Sequence, residues 1–236
     1  MKTVVFIGPT LHVASSRELD VRPPAAVGDL LRASRERGVR RIALVDGYFE
    51  RMAAVWHKEI LLALERGVQV YGASSMGALR AAELAPFGMI GVGRIFQMFA
   101  RGELTADDEV AVAHLPAEAG YRAISDALVN LRDGLARATK ARVIAARTER
   151  ALLELARGTF YRERSWARVV ADGRAAKLPA RELDALAAWP KPDRKAADAR
   201  LLLARLALPG RSETHRPARR RVPRTWALRQ LLADLG

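Results

Sequence analysis

Residue type and spacing suit covalent chemistry best in Gly72-Ala73-Ser74-Ser75-Met76-Gly77-Ala78-Leu79-Arg80-Ala81-Ala82-Glu83-Leu84. Two serines stand there between the apolar-alternating run Val68-Gln69-Val70-Tyr71 and a segment of strong helix formers. Gly72 and Gly77 permit close backbone approach or a positive φ. A strand, tight turn and helix in this order present a hydroxyl at a helix N-terminus, where free N–H groups and the helix dipole stabilise developing negative charge. The spacing Ala73-x-Ser75-x-Gly77 is one residue away from the Gly-x-Ser-x-Gly nucleophile elbow. Ser75 is then the candidate nucleophile, Ser74 its competitor, and the N–H of Met76 the donor that faces an oxyanion. The same residues also fit a plain helix cap, with Ser74 or Ser75 bonding a first-turn amide.

A serine nucleophile needs a base within about 3 Å. His57 shares a helix face with Leu61 and Leu64, and His114 closes the apolar run Val110-Ala111-Val112-Ala113. Either could serve as base, and either also fits ordinary packing. Asp46, followed by Gly47, could orient a histidine or lysine, or could form an Asx turn at the Asp-Gly corner. The sequence contains no cysteine, so the chain carries no disulfide, thiolate metal site or persulfide of its own. Asp107-Asp108-Glu109 reads as part of a capping box that begins at Thr105, and no second cluster has ligand spacing, so neither metal nor other cofactor is expected. Gly-x-x-x-x-Gly-Lys-[Ser/Thr] is absent.

The elements that must position these residues follow from apolar patterning. Thr3–Ile7 and Arg41–Val45 are buried-type runs closed by Gly8-Pro9-Thr10 and Asp46-Gly47, and Val68–Tyr71 is the strand that feeds the serines. Helices are expected from Pro24 to Arg37 and from Ala53 to Arg66, with a polar connection before the first. Pro86–Gly93 reads as a glycine-spaced connection, Arg94–Arg101 as a short helix and Val110–His114 as a fourth strand. Continuously apolar strands separated by helices indicate an α/β fold, a short parallel sheet flanked by helices in the Rossmann-like manner. Ligands bind such sheets beyond the carboxyl ends of the strands. Gly8-Pro9-Thr10, Asp46-Gly47 and Ser74-Ser75 would therefore converge on one crevice, which favours chemistry over simple capping.

Charge divides the chain near residue 135. Residues 1–135 hold 16 basic and 16 acidic side chains, whereas residues 136–236 hold 24 and 10, so the net charge of +14 belongs to the second part. The expected domains are an α/β core over residues 1–135 and a helical basic region over residues 136–236. In the latter, helices are expected over Ala141–Arg157, Thr159–Ala171, Pro179–Ala188, Pro192–Leu208 and Thr225–Leu235, with His215–Arg224 an exposed linker. Such a region suits an acidic partner surface. Nucleic acid is not an expected partner, because no aromatic residues are interleaved with the charge. No apolar run approaches the roughly 20 residues of a membrane span, and Met1-Lys2 leads straight into a strand, so a cytoplasmic protein without membrane contact is expected.

Several ordered blocks together resemble the TfuA-like family. They are Val5–Leu11, Pro24–Leu30, Val45–Phe49, Trp56–Leu61, Gly72–Leu84, Phe87–Gly93, Asp107–His114 and Val129–Arg132. The resemblance covers roughly the first 135 residues. It implies a protein that works beside a YcaO-type ATP-dependent enzyme in installing thioamides on a ribosomally made peptide or protein. Sulfur would come from the C-terminal thiocarboxylate of a ThiS-type carrier protein, with the precursor peptide met through the complex. The residues placed to contact substrate are then Gly8, Thr10 and Gly47 on the loops, Lys58 and Glu59 after Trp56, and Met76, Gly77, Arg80 and Glu83 around the serine turn. Two other readings stay open: a non-catalytic module that binds and activates the YcaO-type enzyme, and an unrelated serine hydrolase of elbow type.

Overall fold

The computed structural model describes residues 2–48, 53–208 and 222–234. The chain divides into two compact units, one formed by residues 1–105 with 196–236 and the other by Ala106–Lys195. Contact thus partitions the chain differently from the charge break near residue 135.

The first unit contains a five-stranded, all-parallel sheet in the order β2-β1-β3-β4-β5. Its strands are β1 (Lys2–Phe6), β2 (Leu19–Arg22), β3 (Val39–Leu44), β4 (Gln69–Ala73) and β5 (Ile90–Val92). Side chains alternate across the sheet, as the two-residue strand period requires. Val4, Phe6, Ile42, Leu44 and Val70 face α1 (Asp29–Arg35), α2 (His57–Glu65) and α3 (Met76–Leu84), contributing to a core with Leu30, Ile60, Leu64 and Ala81. Val5, Ala43, Tyr71, Ala73 and Val92 face the other way and pack with Ala199, Leu202 and Leu206 of α9 (Arg194–Ala207). Helix α4 (Arg94–Ala100) follows β5, and α10 (Trp226–Asp234) lays Leu228 against Leu31 and Leu62. The α/β, Rossmann-like reading is therefore correct, and the second face of the sheet is covered by a helix from the C-terminal part of the sequence.

Three expectations about strands are corrected. Leu19–Arg22, read as part of a polar connection, is an edge strand whose Arg22 joins Asp20 and Glu36, while Lys2 bridges the same two carboxylates. Charges of this kind are how an edge strand avoids pairing with other chains. Ile90–Val92, read as a connection, is β5, and its Gly91 has no room for a Cβ against the Phe96 ring. Val110–His114 is not a strand. Asp107–Glu109 form a 3-10 turn there, and His114 makes only an isolated antiparallel bridge to Ala123. The helices α1 and α2 also start later than expected. Ala25 is held in a bridge to Gly47, its N–H donating to Asp46 O and its C=O accepting from Tyr48 N–H. Ala53–Trp56 precede α2 without helical structure.

The second unit is helical: α5 (Leu128–Lys140), α6 (Ala146–Gly158), α7 (Trp166–Ala175) and α8 (Ala180–Ala188) surround a core that includes Leu131, Leu135, Leu152, Trp166, Leu183 and Leu186. Two residues of the acidic triplet, Asp108 and Glu109, are bonded to arginines. Arg164, 2% exposed, donates to Asp108 Oδ2 at 2.6 Å and to the carbonyls of Asp108, Ala156 and Thr159, and Arg132 donates to Glu109 at 2.5 Å. Residues 215–221 of the expected linker lie outside the described residues. No helix among the described residues is long and apolar enough to cross a membrane.

Candidate functional site

Three loops leave the carboxyl ends of β1, β3 and β4, as a shared crevice requires. Asp46 joins the first two. Its Oδ2 accepts the N–H groups of Gly8 at 2.9 Å and Thr10 at 3.1 Å, and its Oδ1 accepts the Thr10 hydroxyl at 2.6 Å. With Asp46 only 1% exposed, these bonds hold the Gly8–Thr10 loop to the end of β3. No histidine or lysine among the described residues bonds to Asp46, so its observed work is to shape the loops that border the serine turn.

The serine turn is set by two glycines. A Cβ on Gly77 would stand 1.8 Å from Leu44 O, and one on Gly72 would stand 2.1 Å from Gly77 O. Only glycine at both positions lets the start of α3 sit this close to the strand ends, where Gly77 N–H donates to Val45 O at 3.2 Å. Gly47 is similarly confined, since a Cβ there would stand 3.0 Å from Met76 Cγ and 3.2 Å from Ala25 O.

Between the glycines, Ser74 takes φ 68°, a left-handed conformation that costs a non-glycine residue about 1–2 kcal/mol. Its side chain is fully buried and its hydroxyl has no hydrogen-bond partner among the described residues. Ser75 occupies the N-cap position of α3, yet no side-chain capping bond forms there; its C=O accepts from Ala78 N–H at 2.9 Å. The simple capping reading therefore does not explain the two serines. The N–H of Met76 points out of the first turn without an acceptor among the described residues. The left-handed residue of the turn is thus Ser74, with Gly72 two positions before it, whereas the spacing Ala73-x-Ser75-x-Gly77 points to Ser75.

The other candidates have separate duties. His57 Nε2 and Glu83 Oε2 are 2.8 Å apart, and Arg80 Nη1 donates to the same oxygen at 2.8 Å while its Nε donates to Val55 O at 3.2 Å. Lys58 Nζ donates to Thr225 Oγ1 at 2.8 Å. Glu59 is fully buried, accepting Gly28 N–H at 2.7 Å and Trp56 N–H at 3.1 Å, so it ties the start of α2 to the turn before α1. Burial pushes its carboxyl group above the usual carboxylate range, against the lowering effect of those amides. His114 belongs to the second unit, where its Nδ1 lies 2.8 Å from Leu115 O and its ring meets Tyr121 edge-on. Hydrogen bonding therefore joins Asp46 to Thr10 and Gly8, and Arg80 and His57 to Glu83, but links none of these to Ser74 among the described residues. The Asp46–Thr10 clamp and the extended approach to α2 were not foreseen; Gly-Pro-Thr after one strand and Asp-Gly after another were the available signals.

A family model for TfuA-like proteins matches residues 46–165, just over half of the chain. The chain belongs to the TfuA-like family. The matched segment contains Asp46, Gly47, His57, Lys58, Glu59, Ser74, Ser75, Met76, Gly77, Arg80, Glu83 and His114, and begins after Gly8 and Thr10. TfuA-like proteins work in the context of YcaO-dependent thioamidation, and membership carries that context at the level of the family. The sequence matches none of the curated proteins compared with it.

Proposed function

We propose that this protein delivers sulfur to a YcaO-type enzyme during thioamide formation on a ribosomally made peptide or protein, taking it from the thiocarboxylate of a ThiS-type carrier. The observation that carries the reading is Ser74: a left-handed, fully buried serine with an unpartnered hydroxyl, one residue before the N-cap of α3. The chain has no cysteine on which to carry sulfur, so it must cleave the carrier's thiocarboxylate or hold it for its partner.

In the cleavage step, Ser74 Oγ forms an ester bond to the carrier's terminal carbonyl carbon as the carbon–sulfur bond breaks. The departing sulfur takes the hydroxyl proton and leaves as hydrosulfide, so no separate base is required for balance. The N–H of Met76 faces the oxyanion of the tetrahedral intermediate, an interaction contributing about 3 kcal/mol in comparable sites. Water then hydrolyses the ester, returning the serine hydroxyl and releasing the carrier carboxylate with a proton. Carrier docking must uncover Ser74 for this to occur.

The complete burial of Ser74 and the commitment of Asp46 to Gly8 and Thr10 favour one second reading, in which the turn holds the carrier's end and the YcaO-type enzyme performs the cleavage. Sulfide release from thiocarboxylated carrier separates the two. Release by the isolated protein, lost in Ser74→Ala, supports cleavage here. Release that needs the partner and survives Ser74→Ala supports the holding role.

A further inference from the structure

Ala53-Ala54-Val55-Trp56, the first residues of α2, Arg80 of α3, Thr225 and Ala227 of α10 line a cleft of about 490 Å³. That volume lies within the range of small-ligand sites. His57, Lys58 and Arg80 are among its lining residues and no carboxylate is. Glu83 engages His57 and Arg80 through a single oxygen, whereas Lys58 is bonded only to a hydroxyl, that of Thr225, among the described residues.

Part of the cleft's backbone has no partner among the described residues. Val55 C=O is taken by Arg80 and Trp56 N–H by Glu59, but neither the N–H nor the C=O of Ala54 has a partner among the described residues. The N–H groups of His57 and Lys58, in the first turn of α2, have none either. An extended segment with a free amide and carbonyl can pair with another extended chain, and first-turn amides beside an ammonium group suit a carboxylate. Trp56, 37% exposed, adds an apolar wall.

We propose that this cleft receives the carboxyl-terminal end of an extended polypeptide, its terminal carboxylate bound by Lys58 Nζ and the first amides of α2 and its backbone paired with Ala54. Lys58 exchanges the Thr225 hydroxyl for the carboxylate on binding. The chemistry of the ligand stands on the cleft alone and does not depend on the function proposed above, which places the carrier's end at Ser74, outside the residues that line this cleft.

The test uses the full-length, ¹⁵N-labelled protein and two acetylated alanine–glycine pentapeptides, one ending in a free carboxylate and one in an amide. The carboxylate peptide should shift the amide signals of Ala54–Lys58, Arg80 and Thr225 and bind at least tenfold more tightly than the amide. Lys58→Glu should abolish that preference while the rest of the spectrum shows a folded protein. Equal binding of the two peptides, no binding of either, or full displacement by equimolar inorganic phosphate would overturn the proposal. Carboxylate-selective peptide binding without sulfide release from carrier refutes the cleavage reading and leaves the cleft standing. Sulfide release from carrier without carboxylate-selective peptide binding refutes the cleft and leaves cleavage standing.

Discussion

Ser74 is costly to the fold at two levels, since its backbone is left-handed and its buried hydroxyl is unpaired. An unsatisfied buried polar group costs about 1–3 kcal/mol. Ser74→Gly removes both penalties against a loss of roughly 0.5–1 kcal/mol of chain entropy, so the variant should be more stable by about 1 kcal/mol or more. Its sulfide release should fall to background, and a variant that is both more stable and fully active would remove Ser74 from the mechanism. Asp46 behaves in the opposite way. Asp46→Ala leaves the Thr10 hydroxyl and two amides without their acceptor and should cost about 2–4 kcal/mol in chemical denaturation. Asp46→Asn preserves an acceptor for the amides, and full sulfide release by that folded variant would show that the carboxylate serves the loops alone.

At the scale of elements, β1, β3 and β4 were legible because each carries apolar residues that end at a turn, as a strand covered on both faces demands. The edges were not legible. Leu19-Asp20-Val21-Arg22 carries charges suited to an edge, and Ile90-Gly91-Val92 is too short and glycine-rich to stand out from a connection. Val110 and Ala111 are buried, so their apolar character was real, but it serves the second unit rather than the sheet. The serine turn was recognisable from its two glycines; which serine would become left-handed depends on the register of α3 against β3, a tertiary constraint set by Gly77 and Leu44 O. Glu59 shows the same limit, since the family resemblance suggested a substrate contact there and its amide partners include Gly28, 31 residues away. Its raised native value gives a signed prediction. A carboxyl group whose folded value exceeds its unfolded value favours the folded state at low pH, and that contribution is lost as pH rises through the folded value. Unfolding measured from about pH 4 upwards should therefore show the natural protein losing stability relative to Glu59→Gln, and parallel curves for the two would contradict the shift.

At the scale of the whole molecule, the sulfur-delivery reading requires partners, and charge is the feature that would bring them. The net +14 lies wholly in residues 136–236, a stretch that includes α6, α7 and α8 of the helical unit and all of α9. Arg142, Arg150 and Arg181 are exposed and form no ion pair among the described residues. Charges left free in this way attract an acidic surface over about 10 Å at 0.1 M salt and over only about 3 Å at 1 M. Their contribution falls mainly on the rate of encounter rather than on the final contact. Association with an acidic carrier or YcaO-type partner should therefore slow as salt rises, while dissociation changes less. Replacing Arg142, Arg150 and Arg181 by glutamine should reduce the association rate at low salt and flatten its salt dependence. Deleting the C-terminal residues would be a poorer test, since Leu228 of α10 packs against Leu31 and Leu62 and its removal disturbs the first unit. Association rates that are independent of salt, or identical in the triple variant, would mean that the basic region does not steer partner capture.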